Sequence, residues 1–441
     1  MNMLKQQLKN ILPSSLVSFY HLALAYYAAA FYGHPSRSLL VVAVTGTKGK
    51  TSVTEMVNAI LQKAGHKTAL MNSIRFAQGE TSRPNLTRMS MPGRFFIQKF
   101  LYDAARAGCT AAVLEMTSEG ARQFRHRAID LDGLIFTNLA PEHIESHGSL
   151  QKYADAKFEI GKQLVRSKKR PRVMVANADD KESGRYLTLP IEHALPFSLS
   201  GATPYEADER GGYFTFDGAM ISLKLPGEFS LKNALASATL ARALGVTIET
   251  IKDALQNIDR IPGRAERIEG GQDFSVVVDY AHTPDSLKAL YEAYGKVKKI
   301  CVLSATGGGR DTWKRPVMGR IADEYCAEII LTDEDPYDED PEQIVEDVAH
   351  GMSKKPTIIM DRRKAISKAL GIAQGWSKSE SSNETQDTRG IAVLITGKGT
   401  DPSICGPHGT RIPWSDASVA REEIAALLGT KSDGAGYNSE R

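Results

Sequence analysis

Residues 45–52, with the sequence TGTKGKTS, are the part of this chain whose residue types and spacing most clearly indicate chemistry. An apolar run precedes them and a helical pattern follows them, which predicts a strand before the motif and a helix after it. Glycines in such a turn let backbone N–H groups surround a phosphate, and the helix start adds a favourable dipole. Lys50 can reach the β- and γ-phosphates, and the Thr51 hydroxyl can bind Mg²⁺. Val44 replaces the first glycine of the general P-loop pattern, but the context still predicts a nucleotide site.

Acidic and imidazole side chains follow other predicted strands. Glu115 ends the apolar run 111–115, and His143 comes shortly after a strand predicted at 134–138. The carboxyl ends of parallel strands line the ligand crevice of an open sheet, so both side chains could approach the phosphate turn. Mg²⁺ prefers oxygen ligands, which suits Glu115 better than His143. On spacing alone, a surface histidine is the commoner interpretation of His143.

The elements that must position these residues alternate along the whole chain. Helical segments such as 94–107 and 150–164 separate a first series of strand-like runs at 39–44, 111–115, 134–138 and 173–177. A second series begins near residue 264, with runs at 275–279, 300–305, 328–332 and 392–396. Pro262 and Gly263 interrupt both patterns and indicate a hinge at 260–264. This alternation predicts an α/β fold with largely parallel sheets.

The length of 441 residues is too great for one ordinary core, so two or three domains are expected. We predict a central P-loop ATPase domain with a mostly parallel sheet and a C-terminal Rossmann-like α/β domain. The predicted spans are 1–36 for an N-terminal helical segment and linker, 37–262 for the central domain, 263–430 for the C-terminal domain and 431–441 for a flexible tail. The polar residues 377–389 indicate an exposed loop.

Composition excludes several classes of protein. Hydrophobic residues make up 42% and charged residues 24% of the chain, the balance of a soluble globular protein rather than a disordered or polytopic membrane protein. A net charge of +3 over this length argues against nucleic acid as a partner. The cysteines form no CxxC motif, so buried free thiols in a reducing compartment are expected at Cys109, Cys301, Cys326 and Cys405.

Residues 16–33 contain no formal charge and follow Lys5 and Lys9. A membrane span needs about 20 predominantly apolar residues, and this stretch is shorter and contains His21 and four tyrosines. A helix start is indicated by the proline and serines at 13–15. We expect an aromatic, alanine-rich helix that either packs on the protein or contacts a membrane surface or a protein partner. We expect the chain in the cytoplasm. If the helix contacts a membrane, the chain lies at the inner face of that membrane.

Together these motifs resemble the Mur ligases, ATP-dependent enzymes that form amide bonds. The resemblance extends from about Phe31 to Gly429 and is greatest to the MurE branch, which adds the third residue of the peptidoglycan stem peptide. The segments that carry it are FYGHPS at 31–36, GTKGKTS at 46–52, FTNL at 136–139, YADAK at 153–157, NADD at 177–180, PGRAE at 262–266, DYAHTPDS at 279–286, KRPVMG at 314–319 and GKG at 397–399.

The resemblance implies that ATP phosphorylates a substrate carboxylate and that an amino acid's amine attacks the acyl phosphate. By family match, Thr51 and Glu115 hold one Mg²⁺, and Glu115 and His143 hold a second. Lys157 matches a lysine that is carbamylated in this family, and its carbamate would support the second metal. Lys50, Glu115, His143 and Lys157 then form the catalytic set. The implied ATP-binding residues are Gly46, Thr47, Lys48, Gly49, Lys50, Thr51, Ser52, Asn233, Arg264 and Asp279.

The implied substrates are a muramyl-peptide acceptor and an amino acid. Positions that match acceptor-binding residues are Ser90, Thr117, Ser118, Gln123 and Arg125. Positions that match or surround the amino-acid pocket are Arg310, Glu334, Asp335, Tyr337, Gly397 and Asp401. MurE enzymes that use diaminopimelate carry Asp-Asn-Pro-Arg where this chain has Glu-Asp-Pro-Tyr, and tyrosine cannot replace a bidentate cation. The acidic surroundings suit a basic side chain such as that of lysine, or else form a solvated loop.

Alternatives remain open at this point. Only about 35 residues precede the family's linker, so the uridine-binding module is not expected and UDP recognition is undecided. Folylpolyglutamate synthetases resemble the same ATPase without that module. The family's lipid-II amidases carry a cysteine-rich zinc insert that this sequence does not have. A non-catalytic nucleotide-binding partner protein is a further alternative, and a monomer is expected.

Overall fold

The computed structural model describes residues 14–142, 144–381 and 390–429. The chain forms two compact units. The first comprises Met1–Glu206, Gly212–Lys224 and Glu228–Asp259, and the second comprises Ala207–Gly211, Leu225–Gly227 and Arg260–Arg441. The chain enters the second unit for the last time at Arg260, the first residue of the segment in which proline and glycine indicate a hinge.

The first unit alternates between strands and helices. Its helices are α1 (Ser14–Phe31), α2 (Lys50–Lys63), α3 (Arg94–Arg106), α4 (Ser118–Arg122), α5 (Ile144–His147), α6 (Leu150–Arg166), α7 (Ser183–Leu187), α8 (Gly227–Ala243) and α9 (Ile248–Gln256). Its strands are β1 (Leu40–Thr45), β2 (Thr68–Met71), β3 (Arg75–Gln78), β4 (Thr81–Pro84), β5 (Ala111–Glu115), β6 (Gly133–Phe136), β7 (Val173–Asn177), β8 (His193–Phe197), β9 (Tyr205–Ala207), β10 (Gly212–Phe216) and β11 (Ala219–Leu223).

Eight of these strands form one sheet in the order β4-β3-β2-β5-β1-β6-β7-β8. All neighbours from β2 to β8 pair in parallel, and the hairpin strands β3 and β4 are antiparallel. Residues 41–44 of β1 are fully buried and apolar, which explains the central place of this strand. Since the chain runs from β1 to strands on both of its sides, the carboxyl end of β1 is a switch point, where open sheets bind ligands.

The second unit repeats the α/β pattern. Its helices are α10 (Pro284–Ala293), α11 (Lys314–Tyr325), α12 (Pro341–Ala349), α13 (Arg362–Ser381) and α14 (Asp416–Leu428). Its strands are β12 (Glu266–Arg267), β13 (Ser275–Asp279), β14 (Lys298–Leu303), β15 (Glu328–Leu331), β16 (Thr357–Ile358), β17 (Ile391–Thr396), β18 (Ser403–Cys405) and β19 (Arg411–Pro413). The main sheet has the order β12-β13-β17-β14-β15-β16, parallel except for β12. The predicted α/β class with mostly parallel sheets is confirmed.

Two expectations from the sequence are wrong. Cys301 and Cys326 are not free thiols, because the structure joins them in a disulfide. The parallel pairing of β14 with β15 sets Cys301 opposite Ile329 and so brings the residues just before β15 close to it. Residues 377–381 continue α13 instead of forming a loop, since Trp376 packs on the core and carries the next turn with it. Residues 382–389 and the predicted tail at 431–441 lie outside the described residues.

Helix α1 occupies the uncharged stretch in which the sequence predicts a helix. It packs on α3 through ring contacts of Tyr27 and Phe31 with Phe95, at centroid distances of 6.0 and 6.4 Å. Among the described residues, no helix combines the length and the apolar character that a membrane crossing needs.

A fully buried ion pair organises the carboxyl edge of the second unit's sheet. Arg362, at the start of α13, donates from Nε and Nη2 to the two carboxylate oxygens of Asp416 at 2.8 and 2.7 Å. Its other hydrogen bonds reach Thr396 O, at the end of β17, at 2.8 Å and Ser304 Oγ, after β14, at 3.1 Å. Breaking a buried pair leaves an uncompensated charge, so both partners must be present.

We expect Arg362→Met to lower the free energy of unfolding of the second unit by about 3–5 kcal/mol, because Asp416 would stay buried without its cation. Arg363→Met is the matched control. Arg363 pairs with Glu422 and Glu423 at the surface, and its loss should cost less than about 1 kcal/mol. Denaturation followed by tryptophan fluorescence measures both variants, since all three tryptophans lie in this unit. Equal losses would contradict the expectation.

Candidate active site

The phosphate loop runs from the end of β1 to the start of α2. Gly46 has φ +142° and Gly49 has φ +83°, conformations that residues with side chains rarely adopt. Steric exclusion also requires glycine at both positions. A Cβ at Gly46 would lie 2.0 Å from Thr137 Oγ1, and a Cβ at Gly49 would lie 2.3 Å from Asn233 Oδ1. The loop therefore fits between the end of β6 and α8, and Asn233 lies directly against it.

Hydrogen bonds from the residues after β6 fix the loop. Asn138 accepts from Lys48 N through Oδ1 at 2.9 Å and donates to Lys48 O through Nδ2 at 3.1 Å. The Thr137 hydroxyl donates to the same carbonyl at 2.6 Å. The Lys48 ammonium pairs with Glu142 at 2.9 Å, and Lys50 Nζ donates to the loop's own backbone at 2.8 Å. Both predicted phosphate-binding lysines are thus held at the loop.

Thr51 and Glu115, the predicted Mg²⁺ ligands, meet at the switch point of the sheet. Thr51 Oγ1 donates to Glu115 Oε2 at 2.8 Å, and both residues are buried. Ser73, after β2, contacts Thr51 Oγ1 with its hydroxyl at 2.8 Å and donates its N–H to the carboxylate at 3.1 Å. These hydroxyl and carboxylate oxygens are hard ligands of the kind Mg²⁺ takes. Sequence reasoning missed Ser73, which belongs to no motif and is brought in by the pairing of β2 with β5.

No cluster of three or more His, Cys, Asp or Glu side chains within ranges 14–142, 144–381 and 390–429 offers a different metal site. His143, the predicted ligand of a second ion, lies outside the described residues.

Lys157 is buried beneath the loop, and its Nζ donates to Gly46 O at 2.6 Å. The ammonium position stands 4.5 Å from the centre of the Tyr153 ring. Burial, and next the charge of Lys50, lower the pKa of Lys157 well below its ordinary value, with Glu142 acting in the opposite direction. Lys157 is therefore not the solvated cation that a helical position alone would indicate.

The residues predicted for the acceptor lie around α4 and the loop that precedes α3. Arg125 links these two segments, because its guanidinium donates to Met91 O and, at 2.7 Å, to Gln123 Oε1. Thr117 caps α4 by accepting from Gly120 N at 3.1 Å. Thr117, Ser118, Gln123 and Arg125 thus lie in or next to α4, and Ser90 adjoins Met91, whose carbonyl oxygen Arg125 contacts.

Two neighbours of this cluster were missed, since neither belongs to a motif. Arg94, at the start of α3, donates to Gln123 O. His126 is fully buried, and neither ring nitrogen has a hydrogen-bond partner among the described atoms. Burial, assisted by the charges of Arg127 and Arg166, lowers the pKa of His126 to about 3, so the ring is neutral at physiological pH.

The residues predicted for the amino acid lie in the second unit, at the carboxyl edge of its sheet. Glu334 accepts hydrogen bonds from Ser304 Oγ at 2.7 Å and from Thr306 Oγ1 at 2.8 Å. Its Oε2 would be 2.3 Å from a Cβ at Gly397, which has φ +108°, so only glycine fits there. Glu334 is therefore a fixed, buried carboxylate and not part of a solvated loop.

Asp335 is neutralised within the chain. Lys398 Nζ, fully buried, pairs with Asp335 at 2.9 Å and with Asp401 at 3.5 Å. Arg362 pairs with Asp416 in the same way, whereas the Glu334 carboxylate accepts hydrogen bonds from the two hydroxyls of Ser304 and Thr306.

Arg310 and Tyr337 stand together at the exposed side of this edge. The Arg310 guanidinium carbon lies 5.0 Å from the centre of the Tyr337 ring, a cation–π contact. Tyr337 has φ +54° and donates its N–H to Cys405 O at 3.0 Å, which orients the residue. Tyr337 therefore presents its aromatic ring to Arg310.

Arg264 and Asp279, the remaining predicted ATP contacts, also belong to the second unit. The Arg264 guanidinium carbon lies 4.6 Å from the centre of the Tyr280 ring. Asp279, at the end of β13, accepts from Ala265 N and Ala281 N, both at 2.6 Å. Asp279 thus fixes the backbone next to Arg264.

A phosphate loop at a sheet switch point, a Thr–Glu pair of hard oxygen ligands and a buried lysine define the first unit as a P-loop enzyme that uses a nucleotide. Two family models match, the Mur ligase middle domain over residues 44–241 and the Mur ligase, glutamate ligase domain, over residues 263–399. The chain belongs to the Mur ligase family, and it is an ATP-dependent ligase.

Individual relatives cover most of the chain. It is 36% identical over 449 residues to a UDP-N-acetylmuramyl-tripeptide synthetase of Roseiflexus, covering 94% of this chain and 84% of the relative. It is 33% identical over 429 residues to a UDP-N-acetylmuramoyl-L-alanyl-D-glutamate–2,6-diaminopimelate ligase of Geobacillus kaustophilus, covering 93% and 84%. The sequence resemblance to the Mur ligases is confirmed.

Solved structures agree on the fold. A structure of a UDP-N-acetylmuramoyl-L-alanyl-D-glutamate–2,6-diaminopimelate ligase matches with a TM-score of 0.58 and 28% identity, over 88% of this chain and 79% of the other. A folylpolyglutamate synthase of Mycobacterium tuberculosis with ADP matches with a TM-score of 0.66 over 86% and 92%. At 17% identity, the second match shows the fold alone.

We expect Gly49→Ala to weaken ATP binding by about tenfold or more, because a strained backbone and the contact with Asn233 would distort the loop that wraps the phosphate. Gly65→Ala is the matched control. Gly65 lies just beyond the other end of α2 with φ +91°, but no atom lies within 4 Å of its Cβ position. Calorimetric titration with ATP should show weaker binding for the first variant alone. Equal affinities for the two variants would refute this.

We expect His126→Leu to reduce the loss of stability in acid. Folded His126 binds a proton only near pH 3, whereas in the unfolded chain it does so near 6.5. Between these values the unfolded state binds more protons, so falling pH lowers the free energy of unfolding by up to about 1.4 kcal/mol per pH unit. The variant lacks this contribution. Hydrogen exchange of the β6 amides between pH 7 and pH 4 measures the free energy of unfolding of both proteins. A difference between them at pH 8 reports the effect of the substitution on packing. Parallel dependence of the two free energies on pH would argue against the expectation.

Proposed function

We propose that this chain is a MurE-type ligase that adds an amino acid to a muramyl-dipeptide acceptor in peptidoglycan precursor synthesis. The observation that carries the proposal is the Thr51–Glu115 pair beside the phosphate loop, in a chain whose relatives at 36% and 33% identity are named a tripeptide synthetase and a diaminopimelate ligase. The reaction follows as phosphoryl transfer to the acceptor's carboxylate, attack by the amine on the acyl phosphate, and release of phosphate.

The residues of the loop would perform the nucleotide part of this reaction. The backbone N–H groups around Gly46 and Gly49 and the ammonium of Lys50 would bind the phosphates. Thr51 and Glu115 fit one Mg²⁺, which when bound neutralises phosphate charge during transfer. We assign a second ion to Glu115, His143 and Lys157 by resemblance.

Lys157 would serve that second ion as a carbamate. Carbon dioxide adds to a neutral amine, with loss of one proton, and gives an anion. The lowered pKa of Lys157 supports the modification, because it increases the fraction of neutral amine at physiological pH. The hydrogen bond to Gly46 O holds the nitrogen directly below the loop.

The acceptor would lie along α4. Arg125 and the neighbouring Arg94 supply guanidinium groups suited to a carboxylate or to sugar-linked oxygens. Thr117 and Ser118 add hydroxyls at the start of α4. The group that carries the acceptor, uridine diphosphate or another, is decided by the screen below.

The amino acid is proposed to be basic, with lysine favoured over diaminopimelate. The buried Glu334 carboxylate, which accepts its hydrogen bonds from the hydroxyls of Ser304 and Thr306, suits an ammonium group. Tyr337 offers no bidentate donor for the distal carboxylate of diaminopimelate. Arg310 remains as the cation for the α-carboxylate. We place the enzyme in the cytoplasm, where ATP is supplied, and expect it to act as a monomer.

We expect ATP turnover only when a muramyl-dipeptide and an amino acid are both present, with lysine used at least about tenfold better than diaminopimelate, the worth of one charged hydrogen bond. Phosphate release and product masses across a panel of acceptors, with and without UDP, and all common amino acids measure this. Lys50→Ala should abolish turnover. Lys63→Ala, at the opposite and exposed end of α2, is the matched control and should not.

The panel also contains the competing outcomes. Turnover with folate and glutamate would replace the proposal by folylpolyglutamate synthesis. ATP binding without turnover on any pair, unchanged by Lys157→Ala, would indicate a non-catalytic nucleotide-binding protein. Preference for diaminopimelate would leave the ligase assignment standing but refute the role given to Tyr337.

A further inference from the structure

Helix α1 exposes much of its large apolar surface. The residues that it turns toward the protein include three small ones, Ala25, Ala28 and Ala29, each at most 1% exposed. Six of its large apolar residues point outward, with exposures from 49% for Tyr26 to 69% for Phe19, whereas Val17, Leu22 and Leu24 are half-buried. A helix that serves only the core of its own protein buries its large side chains. The outward surface therefore indicates a partner.

The outward residues form one continuous strip. At 3.6 residues per turn the six positions fall within an arc of about 140°, which is one side of a helix. Phe95 of α3, 38% exposed, extends the strip through its ring contacts with α1. We call this strip the aromatic face; it comprises Leu16, Phe19, Tyr20, Tyr26, Tyr27, Phe31 and Phe95. Exposed apolar surface of this extent is unusual on a soluble protein without a binding function.

Basic residues border the aromatic face. Arg106 lies 5.8 Å from the centre of the Tyr102 ring, and that ring contacts Tyr32 beside the face at 5.6 Å. Lys99 interacts electrostatically with Tyr32 and with Arg83. Arg94 does so with Tyr20, and Arg127 with Tyr26. Two carboxylates offset these five cations, since Asp103 pairs with Lys99 and Glu159 with Arg127.

We propose that the aromatic face docks on the surface of an anionic phospholipid bilayer. Tyrosine and phenylalanine rings next to arginine and lysine are the side chains that settle at the boundary between headgroups and acyl chains. The excess of three positive charges at the border would attract an anionic surface, at roughly 1 kcal/mol for each basic residue near it. Lys5 and Lys9 add two more cations to the sequence just before α1, and residues 1–13 contain no acidic residue.

This attachment is peripheral. A short helix that already packs on α3 buries only its outer face, about 5–10 Å into the interface, and does not cross the bilayer. Docking would also orient the candidate acceptor cluster, because Arg94 stands next to Phe95 at the start of α3 and donates to Gln123 O. The acceptor would then be processed beside the membrane. The docking itself requires no catalysis and does not depend on the proposed reaction.

The test is co-sedimentation of the full chain with vesicles of phosphatidylcholine, alone or mixed equally with phosphatidylglycerol. We expect binding to the mixed vesicles that weakens as salt is added, and about tenfold weaker binding to phosphatidylcholine. The double variant Tyr27→Ser/Phe31→Ser should bind about tenfold more weakly or worse. Met220→Ser/Ile412→Ser is the matched control, because these side chains are 50% and 62% exposed elsewhere on the chain. It should bind like the unmodified protein.

A second variant tests the basic border. Arg83→Gln/Arg106→Gln should lower binding to the mixed vesicles about tenfold and leave binding to phosphatidylcholine unchanged. Circular dichroism and ATP binding verify that each variant is folded. Absence of binding to either vesicle by the unmodified chain overturns the proposal, as does equal binding by the aromatic and control variants. If sedimentation detects a dimer and Tyr27→Ser/Phe31→Ser abolishes it, the aromatic face binds a second copy of the chain instead.

Discussion

The absence of a side chain at Gly46 and Gly49 is the constraint on which the candidate active site depends. Only a bare backbone can lie so close to Thr137 on one side and Asn233 on the other. That proximity lets the residues after β6 hold the loop, and it starts α2 in the orientation that brings Thr51 to Glu115. The position of the loop, and with it the Thr51–Glu115 pair, depends on these two close contacts between backbone and side chain.

Both units place their polar groups at the carboxyl edges of their sheets. Strands buried on both faces are apolar, so polar groups can accumulate only where the strands end. In the first unit these groups are Thr51, Ser73 and Glu115, which leave oxygens able to take a metal. In the second unit, Arg362 and Lys398 neutralise most of the buried carboxylates within the chain itself. The first edge is thus suited to bind a cation with its nucleotide, and in the second the Glu334 carboxylate is held by hydroxyl donors.

Sequence periodicity predicted the architecture because strand burial and helix faces are local properties. The bounds predicted for β5, β7 and β13 agree with the structure, and the phosphate loop was found from its glycines, Lys50 and Thr51 between a strand and a helix. Pairings between distant residues could not be predicted. Ser73 reaches Glu115 through strand order, Lys398 neutralises Asp335 across 63 positions, and Cys301 meets Cys326 through the pairing of β14 with β15. Composition likewise revealed an uncharged helix but not which of its residues face inward.

The disulfide gives the second unit a property that hydrogen bonds do not. When oxidised, it closes residues 301–326 into a covalent ring that contains the whole of α11 and Arg310, and in a reducing cytoplasm the two thiols leave that ring open. When α11 unfolds locally, Cys301 and Cys326 stay joined. Arg310 therefore remains within the cross-linked loop, close to β14. A peptide bond cut within the ring would open a gap but release no fragment. While the disulfide is formed, α11 therefore stays covalently joined to the sheet on both of its sides.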